Sequence, residues 1–182
     1  MKKLRLNSQV KKAFKGSSRG FTLIELVIVI GLTGLISGGI TLTIMQVFNM
    51  NTRTRDDMIA VYQVRQAGKM VSEDILQAQS VNNAPGVFLN LTWSDWATGH
   101  VHNVIYTLAD VPSSELKILW REHYVKEDGG FELDSITKVA EYIDPDQTSC
   151  VWAGGVLNFT VTATVGQQSE TRVYQIKSRP GS

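Results

Sequence analysis

The sequence has a single cysteine, Cys150, in 182 residues. An intrachain disulfide framework and a cysteine-rich metal site are therefore excluded, and the redox compartment stays open. Proline is scarce too: there are four, and none falls between Phe21 and Ala84, so nothing forbids one uninterrupted helix there. Acidic residues are absent from positions 1–20, and Glu25 is the only charged residue from 21 to 48. Catalytic signatures are missing as well. We find no Gly-x-Ser-x-Gly, no phosphate loop, no HExxH and no dinucleotide fingerprint. Adjacent carboxylates such as Glu73 and Asp74 point apart on a helix and do not form an acid–base pair. No active site is nominated, and neither enzymatic activity nor a cofactor is expected.

The charge that is present is distributed unevenly. The formal net charge is +1, yet residues 1–20 carry seven bases (Lys2, Lys3, Arg5, Lys11, Lys12, Lys15, Arg19). Removing those seven leaves 11 basic against 17 acidic residues, a formal −6 over 21–182. Such an acidic remainder argues against general nucleic-acid binding, which needs lysine and arginine to neutralise phosphates. The span 26–45 supplies the roughly 20 apolar residues that a membrane helix requires. Its basic N-terminal flank predicts a cytoplasmic N-terminus, with residues 49–182 on the far side. A mitochondrial presequence would share the basic, acid-poor start but not the long uncharged stretch after Glu25. A cleaved secretory signal would be shorter in its apolar part, and 35–39 matches a small-residue cleavage site only faintly. Gly34 and Gly38 make a small-xxx-small pair that lets helices approach closely in lipid.

Beyond Asn49 the periodicity predicts that the helix continues as an amphipathic half. Met58, Val61, Val64, Gly68, Val71, Ile75 and Ala78 recur at spacings of three and four, and Ala84-Pro85-Gly86 is the expected stop. From there β-branched and aromatic residues predict strands at 87–93, 101–108, 116–125, 156–165 and 171–177. Turns are expected at Glu127-Asp128-Gly129-Gly130 and Gly166-Gln167-Gln168, and 135–143 reads as either helix or strand. The expected fold is α+β, a long N-terminal helix packed on a C-terminal antiparallel sheet. Four segments follow: a basic leader (1–20), a transmembrane half-helix (21–48), an amphipathic half-helix (49–83) and a β-domain (84–182).

Arg19-Gly20-Phe21-Thr22-Leu23-Ile24-Glu25, followed by the apolar span, resembles the N-terminus of the type IV pilin family, which includes the type II secretion pseudopilins. The resemblance covers roughly residues 15–45; residues 63–78 also look like J-type pseudopilins and W-type minor pilins. It implies that a prepilin peptidase/methyltransferase cuts after Gly20 and that Phe21 becomes an N-methylated N-terminus. It also implies that Glu25 accepts the Phe21 amine of a neighbouring subunit during assembly. A buried carboxylate becomes tolerable once it is paired and hydrogen-bonded. Further implied partners are other pilin or pseudopilin subunits, an inner-membrane assembly platform and the lipid bilayer. Two departures favour a minor pilin or pseudopilin: no proline kinks the middle of the span, where Leu42 sits, and one cysteine cannot close a disulfide loop.

Other residues compete for attention. His100 and His102 stand two apart, as two imidazole ligands on one strand face would, although a surface loop is the simpler reading. Asp144 and Asp146 offer alternating oxygen donors of calcium type, but without an EF-hand's acids or glycine, so a solvated turn competes. Trp93, Trp96, Trp120 and Trp152 fit sheet cover or, alternatively, a carbohydrate or surface patch. Asn90 and Asn158 stand in glycosylation sequons read as coincidental, and Cys150 as a small buried residue. The expectation is a prepilin-like filament subunit, resident in the inner membrane and then in a pilus or pseudopilus. The competing reading is a membrane-anchored envelope protein whose β-rich domain binds a ligand.

Overall fold

The computed structural model describes residues 20–83, 87–127 and 129–178. The basic leader at 1–19, the expected helix stop at Ala84-Pro85-Gly86 and Asp128 of the expected turn lie outside the described residues. The fold is α+β: one long helix, α1 (Leu23–Gln77), followed by an antiparallel sheet. The chain divides into two units, Met1–Val47 and Phe48–Ser182, and α1 contributes to both.

In the first unit every described residue is exposed, including Leu26, Val27, Ile30 and Leu35. This part of α1 is long and apolar enough, by length and composition, to cross a membrane. Its hydroxyls are satisfied from within: Thr33, Thr41 and Thr43 each donate to the carbonyl four residues earlier, at 2.7, 2.9 and 2.9 Å. Internal bonding of this kind is what an apolar solvent demands of a polar side chain.

In the second unit α1 buries Ala60, Val64, Ala67, Gly68, Val71, Asp74 and Ile75. The spacing is helical, as expected, but the stripe is rotated slightly from the predicted one: Met58 is exposed and Val61 only half-buried. Small residues on this face let the helix lie close to the sheet. Gly68 shows how close, since a Cβ there would stand 2.0 Å from Cζ of Tyr174, whose hydroxyl donates to the Val64 carbonyl at 3.1 Å.

Among the described residues eight strands follow: β1 (Ser80–Asn82), β2 (Leu89–Ser94), β3 (Val101–Asp110), β4 (Lys117–Glu127), β5 (Gly130–Ile143), β6 (Ser149–Ala153), β7 (Val156–Val165) and β8 (Gln168–Lys177). Their order is β1-β2-β3-β4-β5-β7-β6, with β8 on β7. β8 pairs β7 along its length, while the other side of β7 takes β6 over 156–160 and Ile143 of β5 at Ala163. Leu89, Leu91, Val104, Tyr106, Leu119, Leu157, Phe159 and Val161 form the sheet's side of the core. Each fully buried apolar side chain of this size contributes about 1.5–3 kcal/mol before entropy is counted.

One expectation needs correction, one ambiguity is resolved and one strand is new. The helix stops at Gln77, well before Ala84-Pro85-Gly86, because Gln79 N–H donates to the Thr92 carbonyl (2.9 Å) and residues 80–82 pair with β2. Tertiary pairing outbids weak local helix propensity there. The ambiguous 135–143 belongs to a strand that begins at Gly130. β6 is a strand the sequence reading missed. The Gly166 turn is where it was expected, with φ +59 in the left-handed region that glycine adopts at no steric cost.

Gly68→Ala should drive a methyl into the Tyr174 ring. Thermal unfolding of the detergent-solubilised chain should show a loss of about 1–3 kcal/mol, and an unchanged Tm would refute the close-contact assignment.

Candidate processing site and the polar clusters of the sheet domain

Gly20 and Phe21 precede the helix, and Phe21 is 80% exposed. Among the described residues no atom beyond its chain neighbours lies within 4 Å of where a Gly20 side chain would stand, so the backbone there is open to them. α1 begins on a capping box. The Thr22 hydroxyl accepts from Glu25 N–H (3.3 Å), while Glu25 Oε2 accepts from Thr22 N–H and from its hydroxyl (3.5 and 3.4 Å). Reciprocal bonding of this type satisfies two donors that an α-helix leaves orphaned at its start. A carboxylate in the first turn is also favoured by the helix dipole. Glu25 is exposed and has a local partner already.

Residues 15–41 match the family model of the prokaryotic N-terminal methylation motif. The chain carries a type IV prepilin leader motif. Gly20, Phe21 and Glu25 all fall inside that match, and the β-domain falls outside it. No curated protein and no solved structure matches the chain. The prepilin-like assignment therefore rests on the N-terminal segment together with the apolar helix behind it.

In the sheet domain of this prepilin-like chain Asp74 accepts three hydrogen bonds, while its neighbour Glu73 points away from it and is exposed. Asp74 is buried in the helix stripe. Arg121 Nε and Nη2 donate to its two oxygens at 2.7 and 3.0 Å, and the Tyr106 hydroxyl donates to Oδ2 at 2.5 Å. Tyr106 and Arg121 stand directly opposite one another on β3 and β4, so the sheet presents both donors at one point under the helix. Burial pushes the Tyr106 phenol far above its ordinary range, and the Asp74 charge adds to that. The hydrogen bond to Asp74 raises the Arg121 pKa against the cost of desolvation. The partners sit 32 and 47 residues away in sequence, beyond any local pattern.

His102 pairs not with His100 but with His123: Nδ1 of His102 lies 3.0 Å from Nε2 of His123, whose Nδ1 lies 2.9 Å from Asp134 Oδ2. The acid that spacing did not reveal comes from β5, through strand pairing. Trp93 lies beside both imidazoles, with interplanar angles of 15° and 9°. With both rings neutral, Asp134 as acceptor sets the tautomers: His123 donates through Nδ1–H, its Nε2 accepts from His102 Nδ1–H, and His102 Nε2 is left as an acceptor. Desolvation and then the neighbouring His123 lower the His102 pKa.

The remaining candidates are explained locally. Asp144 Oδ1 accepts from the backbone N–H groups of Asp146 and Gln147 (3.0 and 3.3 Å), and Oδ2 from the Gln147 amide (2.7 Å). It builds its own turn, and Asp146 is exposed beside it. Among the described residues no group of three or more His, Cys, Asp or Glu side chains is placed to hold a metal ion. Cys150 is half-buried, its thiol pushed up to about 12 by burial, so it is protonated at neutral pH. Asn90 and Asn158 lie inside β2 and β7. Trp120 and Trp152 are half-buried, whereas Trp96 is 91% exposed.

Two measurements follow from these clusters. Asp74→Leu strands a buried guanidinium and should cost about 3–5 kcal/mol, while Asp74→Leu with Arg121→Met should recover most of that loss. Equal destabilisation in the single and double variants would remove the ion pair from its assigned role.

For His102 the folded pKa lies below the unfolded one. Its contribution is then complete above the unfolded value of about 6.5 and is lost as pH falls through it. The groups acting on His102 are His123 on β4, Asp95 and His100 from the β2–β3 connection, and Asp134 on β5. Lowering pH from about 7.5 to about 5.5 should reduce Tm, and His102→Gln should flatten that dependence; a slope unchanged by the substitution would contradict the assignment.

Proposed function

We propose that this chain is a structural subunit of a type IV pilus or a type II secretion-like pseudopilus, made as a membrane precursor and cleaved after Gly20. A prepilin peptidase/methyltransferase acts on the cytoplasmic side, and Phe21 becomes the N-methylated terminus. Glu25 then accepts the Phe21 amine of a neighbouring subunit, and the apolar halves of α1 bundle in the filament core. An inner-membrane platform drives that assembly from the lipid bilayer, with the N-terminus in the cytoplasm and the sheet domain outside. The chain has no catalysis of its own in this reading and is the substrate of the peptidase.

One observation carries the proposal: Gly20 stands three residues before a helix whose third residue is Glu25 and whose next twenty residues are uncharged, mostly apolar and exposed. The matched methylation motif covers Gly20, Glu25 and the helix that follows as far as residue 41.

The test is the mass and N-terminal residue of the mature protein from a host that makes the peptidase. A methylated Phe21 terminus is expected, and an intact Met1 start or a cut near Gly39 would overturn the reading. Glu25→Ala removes both charge and cap, so Glu25→Gln is the sharper variant, because glutamine retains the capping box without the charge. Cleavage should persist in Glu25→Gln while incorporation into filaments drops; normal incorporation would show that the carboxylate charge is not the assembly contact.

A further inference from the structure

Strand alternation puts His102, Val104 and Tyr106 on one face of β3, and Leu119, Arg121 and His123 on the same face of β4. The helix covers Tyr106 and Arg121 through Asp74 but ends at Gln77. Past that end a cleft of about 630 Å³ opens, within the size range of small-molecule sites. Its lining includes the ring cluster of Trp93, His102 and His123, the exposed indole of Trp96, and the residues Gln79 and Ser94.

The chemistry of the lining narrows the ligand. Arg121 and Asp74 neutralise one another, so neither is left as a free charge for an ionic ligand. Asp95 also lines the cleft, but its carboxylate holds its own turn, accepting from Ala97 N–H and the Thr98 hydroxyl at 2.9 Å each. That turn displays Trp96, whose indole is 91% exposed. The neutral His102 tautomer offers an acceptor at Nε2. Gln79 uses its carbonyl on Ser94 N–H (3.2 Å), which leaves its amide as a donor. No metal-holding group of three exists among the described residues. What the cleft provides is an exposed π face, uncharged donors and acceptors, and one carboxylate, Asp95, already occupied by its own turn.

We propose that this cleft binds a neutral carbohydrate, a pyranose ring whose C–H face packs on Trp96 and whose hydroxyls bond His102, Gln79 and Ser94. An uncharged ring with one apolar face and a rim of hydroxyls matches each of those features. The site stands on the sheet domain alone and does not depend on the filament reading.

The test is saturation-transfer NMR on the full chain in a detergent without a sugar headgroup. The probes are methyl α-mannopyranoside, methyl β-galactopyranoside and N-acetylglucosamine, with tetramethylammonium as an aromatic-seeking cation. Transfer to at least one sugar is expected, with a Kd near the millimolar range. Trp96→Ala should weaken it by about fivefold or more without altering the circular dichroism, because the removed indole is exposed. Trp96→Phe should retain binding. No transfer to any sugar at roughly ten times a millimolar Kd, transfer to tetramethylammonium alone, or sugar binding undiminished in Trp96→Ala would each overturn the proposal.

Discussion

The buried clasp of Asp74 with Arg121 and Tyr106 is the constraint on which the sheet domain depends. An apolar stripe facing an apolar sheet has no strong preference among neighbouring registers, since burial energy is largely non-directional. A bidentate carboxylate–guanidinium pair has one geometry, and a helix shift of a single turn would strand both charges away from water. Desolvation makes such a pair a weak source of net stability, but a sharp penalty on wrong arrangements. The small residues Ala60, Ala67 and Gly68 allow the close approach, and the clasp fixes where along the helix it occurs. Tyr174 over Gly68 adds a second, steric index point on the distant strand β8.

The first unit is governed by a different solvent. Its side chains are apolar on all sides, and its threonine hydroxyls are bonded to the helix's own carbonyls. The absence of an apolar stripe is what a helix surrounded by lipid requires. One helix thus carries two sequence grammars, with the change near Phe48, where charged residues begin to alternate with apolar ones.

Much of this was legible in the sequence because the relevant physics is local. The apolar run, the helical spacing of Val64, Val71 and Ile75, and the alternation in β7 each report a face and a period. The Gly166 hairpin announced itself through a residue type that the turn needs. What failed to show is what pairing over distance decides. β1 is a strand because β2 offers it backbone partners. β5 hid because register shifts against β4 break its period of two. β6 could have been found from Gly154-Gly155, a turn signal between two short apolar runs. Asp74, Arg121, His102 and His123 are ordinary surface letters until the sheet brings them together. The Thr22-x-x-Glu25 capping box is local and is written in the sequence as a threonine three residues before a glutamate.

That capping box changes the meaning of Glu25. An acid that already holds the Thr22 amide and hydroxyl is not an empty acceptor waiting for a cation. Any new partner must displace, or share with, donors that are covalently close and always present. Binding there is therefore an exchange reaction, and its free energy is the difference between two satisfied states. In the proposed filament such an exchange would be readily reversed, so that a subunit could be added or withdrawn without a charge being left bare in an apolar medium.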